Sequence, residues 1–270
     1  MATGAQYGSR VGRSSRKTVA KIGPLNSELA NLLYPIQSRD VVFLHDDFLL
    51  EEGTAITGSG LWVAGGINAT NFAAPAAQLA NGVVQGAIAA NVADNKTLKG
   101  SAAWQGDLNC GMEIRWKVDN ADTTLWEVGF VDPLTSFNDL ALNDIDTPSI
   151  TNGAADVALV AQDTGQTLTT MAFITDGSTS NFNTTKTNLG TRTPTNATYM
   201  SARVQIATNA ARCWVFDENG ALVEQAQHGD VTANSIEGGV LLHLWAGWET
   251  LATTAKTVDI DYVTAWQDRY

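Results

Sequence analysis

Few residues of this chain have types and spacings that point to chemistry. His45, His228 and His243 lie on separate segments without metal-ligand spacing, so no zinc site is expected. No Gly-x-Ser-x-Gly elbow, phosphate-binding loop or dinucleotide fingerprint occurs. Cys110 and Cys213 fall in strand-like segments and are expected as small buried apolar groups; a bridge requires their strands to adjoin. One loop gathers Asp132, Asp139, Asn143, Asp144 and Asp146. Oxygen-rich loops suit a hard cation, which makes Asp139, Asp144 and Asp146 candidate calcium ligands, although the spacing matches no EF-hand. No other cofactor is expected. The remaining constellation suits sugars. On the segment 240–249, His243, Trp245 and Glu249 share one face, opposite Leu242, Leu244 and Trp248. If that face is open, Trp245 offers a platform for a sugar's apolar side, with polar neighbours for its hydroxyls.

The elements that must hold these residues read as strands. In Cys110–Val118, the apolar Cys110, Met112, Ile114, Trp116 and Val118 alternate with Glu113, Arg115 and Lys117. The segment Met200–Ile206 alternates in the same way, as half-buried strands do. Ala211–Phe216 and Ala221–Ala226 flank Asp217-Glu-Asn-Gly220, where Asn-Gly favours a tight hairpin. Further strands are expected at Val41–Leu50, Leu79–Val84, Trp126–Val131, Asp156–Ala161, Leu168–Thr175, Val240–Trp248 and Thr257–Trp266. The segments 53–60, 132–155 and 176–198 read as loops. This predicts an all-β, two-sheet sandwich in one domain.

Charge divides the chain. Of 270 residues with a net charge of −12, residues 1–39 hold six bases against one acid, Glu28. Residues 40–270 hold ten bases against 27 acids, so an arm of +5 precedes a body of −17. An acidic body argues against nucleic acid or an anionic membrane as partner. No apolar run approaches the ~18 residues of a membrane-spanning helix. The organisation expected is a basic arm, 1–39, and a sandwich, 40–270. Within the arm, Leu25–Leu33 reads as a short helix with Leu25, Leu29, Leu32 and Leu33 on one stripe. Arg10, Arg13, Arg16, Lys17 and Lys21 are the candidate partner-binding residues. An acid-free, Arg- and Ser-rich start also suits a transit peptide, but no apolar core marks a secretory signal.

Beyond these patterns, the chain resembles the concanavalin A-like (laminin G-like) jelly-roll superfamily over about residues 42–268. The resemblance is carried by His45-Asp-Asp-Phe-Leu49 and Val258-Asp-Ile-Asp-Tyr-Val-Thr-Ala-Trp266, with Gly129-Phe130 and Trp214-Val-Phe-Asp-Glu-Asn-Gly220 between them. It implies that the opening and closing strands meet, and that calcium near a sheet rim is compatible with the fold. Glycosidases of the superfamily carry Glu-x-Asp-x-x-Glu on a central strand, where two carboxylates divide the work. That string is absent: Glu113 has no acid two or four residues on, and Asp259 and Asp261 belong to the closing strand. The expectation is therefore that the chain is not an enzyme. Modules of this kind also occur in tailed-phage particles. The arm and body then suggest a phage capsid decoration (cement) protein in the virion. Its partners would be the major capsid protein and its own copies, in a trimer or similar ring. The alternative is a carbohydrate-binding, lectin-like module of a tail or surface protein.

Overall fold

The computed structural model describes residues 41–50, 54–56, 61–68, 71–75, 82–145, 149–150, 153–164, 171–177, 185–190, 196–207, 210–229 and 239–269. The arm, with the helix expected at Leu25–Leu33 and the candidate partner-binding residues Arg10, Arg13, Arg16, Lys17 and Lys21, lies outside the described residues. Apart from one 3-10 turn at Gly106–Leu108, the regular elements described are strands. These are β1 (Val41–Asp46), β2 (Trp62–Gly65), β3 (Val84–Ile88), β4 (Asn95–Gly100), β5 (Gly111–Val118) and β6 (Thr124–Val131). There follow β7 (Leu142–Asp144), β8 (Ser149–Ile150), β9 (Val157–Asp163), β10 (Met171–Asp176) and β11 (Thr185–Leu189). The last are β12 (Met200–Ala207), β13 (Ala210–Phe216), β14 (Leu222–Gly229), β15 (His243–Thr250) and β16 (Lys256–Asp268).

They form two seven-stranded antiparallel sheets. The first runs β1-β16-β5-β12-β13-β14, with β3 also on β16; the second runs β11-β10-β9-β6-β15-β4-β2. The alternating side chains of the two sheets meet between them. Met112, Ile114, Trp116, Ala202, Val204, Cys213, Val258 and Ile260 face Trp126, Val128, Phe130, Val160, Phe173, Leu244 and Trp248 in one core. Trp116 and Trp126 join the layers edge to face, with ring centroids 5.0 Å apart. The expected sandwich is present, and its two ends meet as the resemblance implies: β1 pairs with β16 from Val41↔Asp268 to Asp46↔Val263. The Asn219-Gly220 hairpin joins β13 to β14.

Of the strand expected at 79–84, residues 79–81 lie outside the described residues and β3 begins at Val84; the loop expected at 176–198 contains β11. β4, Asn95-Lys-Thr-Leu-Lys-Gly100, was not visible to a search for alternating apolar residues because Leu98 is its one apolar side chain. Yet the whole strand is buried: the Lys96 ammonium lies 5.1 Å from the centre of the Phe72 ring and the Lys99 ammonium 3.3 Å from that of Phe137, so the aromatic faces receive the two cations. Burial lowers the pKa of Lys96 to about 8.

Candidate functional site

The outer faces of the two sheets have opposite characters. On the second sheet, His243, Trp245 and Glu249 do share the outward side of β15, as the sequence predicts, with Leu244 and Trp248 in the core. The segment after β6 covers that side. Leu134, Leu140, Leu142, Ile145, Ile150 and Ala154 pack onto Leu125, Leu159, Ala172, Ile174 and Trp245, making a second apolar cluster. The loop expected at 132–155 is therefore a layer of the fold, containing the β7–β8 hairpin.

Two glycines seat this cover. A Cβ on Gly247 would lie 2.3 Å from Leu140 Cδ2, and one on Gly65 would lie 2.3 Å from the Phe137 carbonyl oxygen. The polar anchor is Glu127 on β6, which is wholly buried. Its carboxylate accepts N–H groups from Ala141 (2.6 Å) and Leu142 (2.9 Å) and the Trp245 indole N–H (2.5 Å). Burial raises its pKa to about 7 against the pull of those donors, and nearby Glu249 adds to the rise.

These contacts correct the sugar-platform expectation. Trp245 is 1 % exposed because the cover seals its ring and Glu127 ties its nitrogen. His243 is also buried, its Nδ1 2.8 Å from the Gly100 carbonyl. Only Glu249 stays half-buried, and burial, followed by Asp163 and Asp139, raises its pKa to about 6. Glu127 was missed because a lone Glu between Trp126 and Val128 carries no spacing signal. Of the calcium candidates, Asp139 is exposed and Asp146 lies outside the described residues. Among the described residues no three His, Cys, Asp or Glu side chains converge as a metal site. Cys110 and Cys213 are free and buried, on positions that β12 separates.

The first sheet presents instead a field of rings and ion pairs. Antiparallel register lines it up in rows across the strands. One row runs Gln85, Asp259, Lys117 and Tyr199; the next Tyr262, Arg115, Ser201 and Phe216; the next His45, Thr264, Glu113, Arg203 and Trp214. A bulge at Ile260/Tyr262 turns Asp261 outward beside Tyr262. Arg115 pairs with Asp261, and Lys117 lies 3.1 Å from Asp259, which also accepts the Gln85 amide at 2.8 Å. Both cations lie against the Tyr199 ring, at 4.5 and 4.8 Å. Burial, then the charges of Asp259 and Asp261, push the Tyr199 phenol up to about 12, so it remains a hydroxyl donor.

In the third row Arg203 donates Nε to Glu113 Oε2 at 2.8 Å, while the Tyr262 hydroxyl donates to Oε1 at 2.6 Å. The guanidinium sits 5.4 Å from the Phe216 ring. Tyr199, Trp214 and Phe216 are half-buried, as are Arg115, Lys117 and Asp261. These residues join flat apolar rings to oriented donors and acceptors. Asp259 and Asp261, read from the sequence only as a fold signature, supply acceptors on this face.

No protein-family profile and no curated protein matches the chain. Solved structures do share its fold. The carbohydrate recognition domain of Emp47p matches at TM-score 0.51 and 11% identity, covering 85% of this chain and 98% of that one. The exoplasmic/lumenal domain of VIP36 in its Ca2+/Man3GlcNAc-bound form matches at 0.52 and 8%, covering 79% and 86%. A β-1,3-glucanase from Mycobacterium marinum matches at 0.52 and 12%, covering 83% and 97%. The chain is thus an all-β sandwich of the concanavalin A-like kind. The glucanase corrects the expectation that the chain is not an enzyme: the same scaffold carries a hydrolase, so a missing Glu-x-Asp-x-x-Glu string does not set catalysis aside.

Proposed function

We propose that this chain is a carbohydrate-recognition module whose ligand face is the outer side of the first sheet. The observation that carries the reading is the half-buried set of Tyr199, Trp214 and Phe216 interleaved with Arg115, Lys117 and Asp261. Sugars are recognised by such pairings: C–H faces stack on rings while charged groups fix the hydroxyls. The sugar-bound VIP36 domain and the Emp47p carbohydrate recognition domain, which share the fold, support the ligand class. The test is a glycan array followed by calorimetric titration of the best hit. Trp214→Ala and Tyr199→Ala should each weaken binding at least tenfold with the melting temperature held. An array without hits, or hits indifferent to both substitutions, refutes the proposal.

The charge split favours a second reading, a capsid decoration protein on a phage virion. There the basic arm, +5, would fix an acidic body, −17, to a major capsid protein and to neighbouring copies. Deleting residues 1–23 should then abolish binding to capsids. Undiminished binding rejects that reading.

A further inference from the structure

The end of β1 carries a cluster that core packing does not use. In His45-Asp46-Asp47-Phe48 the even positions serve the fold. Asp46 accepts the Phe48 N–H at 2.8 Å and the Trp62 indole N–H at 2.7 Å, and Phe48 is buried against Trp62. The odd positions meet Thr264 instead. His45 Nδ1 lies 2.7 Å from Thr264 Oγ1, and His45 Nε2 lies 2.6 Å from Asp47 Oδ1. Thr264 is the residue directly opposite His45 on β16. All three are half-buried, and of the chain's three histidines His45 alone is not buried.

The carboxylate fixes the tautomer. It can only accept, so Nε2 carries the ring proton and the lone pair of the neutral ring lies on Nδ1, toward the threonine hydroxyl. The hydroxyl thus donates to a base that a carboxylate orients, the arrangement that makes a nucleophile of a hydroxyl. The turn after β1 sets the carboxylate in place. Phe48 holds φ +51°, rare for an aromatic residue, and a Cβ on Gly82 would lie 2.0 Å from the Asp47 carbonyl oxygen. The imidazole stands between the rings of Phe43 and Tyr262, at 6.5 and 6.0 Å between centroids. Glu113, across from Thr264 on β5, has its charge offset by Arg203 at 2.8 Å and the Tyr262 hydroxyl at 2.6 Å.

We propose that Thr264, His45 and Asp47 hydrolyse carboxylic esters through an acyl-threonine. Thr264 Oγ1 attacks the ester carbonyl carbon while His45 Nδ1 takes its proton. The carbonyl re-forms, the ester C–O bond breaks, and the alcohol leaves with that proton. Water then gives a proton to Nδ1 and attacks the acyl carbon; the Thr264 oxygen departs and takes the proton back. One ester and one water yield one acid and one alcohol, with no redox change. Thr264 and His45 are the catalytic residues and Asp47 is a positioning residue. The backbone of β16 is paired with β1 and β5 on either side of Thr264, so no N–H pair is spare for the carbonyl oxygen and turnover should be slow. Trp214 stands three strands along the same row, about 14 Å away. If the ligand face proposed above is correct, on which this point alone rests, the ester is one borne by an oligosaccharide.

Hydrolysis of p-nitrophenyl acetate tests the three residues without any sugar, so its outcome is independent of a glycan array. The full chain should release p-nitrophenolate faster than buffer alone. A fluorophosphonate should attach covalently to Thr264, with loss of fluoride, as read by mass spectrometry of the peptides. Thr264→Val should abolish both at an unchanged melting temperature, whereas Thr264→Ser, which keeps the hydroxyl, should retain them. His45→Gln should lower kcat about a hundredfold. Asp47→Asn should lower kcat about tenfold with KM held, and Asp47→Glu should recover part of the loss. Hydrolysis at the buffer rate overturns the proposal. So does a fluorophosphonate carried by another residue, or activity that survives in Thr264→Val.

Discussion

Trp245 donates its indole N–H to Glu127 at 2.5 Å, and both side chains lie fully buried on the outward face of a sheet. An outward face is ordinarily wet, and a carboxylate there ordinarily needs no indole. The pair exists because the chain after β6 folds back as a third layer over the second sheet. Glu127 satisfies two backbone N–H groups of that layer which apolar packing would otherwise strand. The residue most suited in sequence to stack on a sugar is thus consumed by the fold. The open rings stand on the opposite sheet.

The Glu127 pKa of about 7, against the ordinary 4.5, makes stability depend on pH. The native state keeps a proton that the unfolded chain releases, so stability is greatest below pH 4.5 and falls, by about 3 kcal/mol, as pH rises to 7. Glu249, raised to about 6, adds to the same slope. His228 acts oppositely: burial lowers it from 6.5 to about 4, so its stabilisation is complete above 6.5 and is lost as pH falls to 4. Urea titrations from pH 4 to 8 should show stability falling between pH 4.5 and 6, where the two raised carboxyls outweigh His228. Glu127→Gln should flatten that fall, and His228→Asn should steepen it. Identical profiles for all three proteins would contradict the assignment.

Gly129 and Gly247 should respond very differently to alanine. At Gly129, φ is +149° and a Cβ would sit 2.0 Å from the Ala158 carbonyl oxygen, which belongs to the neighbouring strand. Backbone cannot step aside there, so Gly129→Ala should cost about 3 kcal/mol or more. At Gly247 the obstacle is the tip of Leu140, a side chain that can change rotamer. Gly247→Ala should cost about 1–3 kcal/mol. Hydrogen exchange should place the loosening in 132–145.

Lys256 serves as an internal cation for the turn before β6. Its ammonium donates to the Asn120 carbonyl at 3.0 Å, to the Asp122 carbonyl and to Thr123 Oγ1 at 3.3 Å, where Thr123 holds φ +55°. Lys256→Met keeps the stem and removes the donors, leaving those carbonyls poorly paired. The expected loss is about 1–3 kcal/mol, with faster amide exchange over 119–124. Exchange left unchanged in that turn would refute the role.

Glu113 and Arg203 are both buried, at 3 % and 7 % exposure. Arg203→Met strands a carboxylate beside the Tyr262 hydroxyl and should cost about 3–5 kcal/mol, much of which Glu113→Gln in the same chain should restore. Additive losses in that double-mutant cycle would show that the pair does not act as a unit.

Alternation of apolar and polar residues was enough to read β5, β12, the β13–β14 hairpin and the closing strand, because those strands set apolar side chains on the core side and polar ones on the other, and each side chain reports its face. The same pattern placed His243, Trp245 and Glu249 correctly on one side of β15. Alternation describes sides, however, and not what lies on them. Whether a side meets water or a further layer depends on contacts such as Leu140 with Gly247 and Ala141 with Glu127, which are remote in the chain and have no local signature. β4 went unread for a related reason, since its lysines are buried with their ammonium groups against the rings of Phe72 and Phe137, which are remote in the chain. Sequence therefore determined the strands and which residues share a side. Only the tertiary structure decided which side was sealed and which left rings in reach of solvent, because burial comes from the summed packing of distant segments.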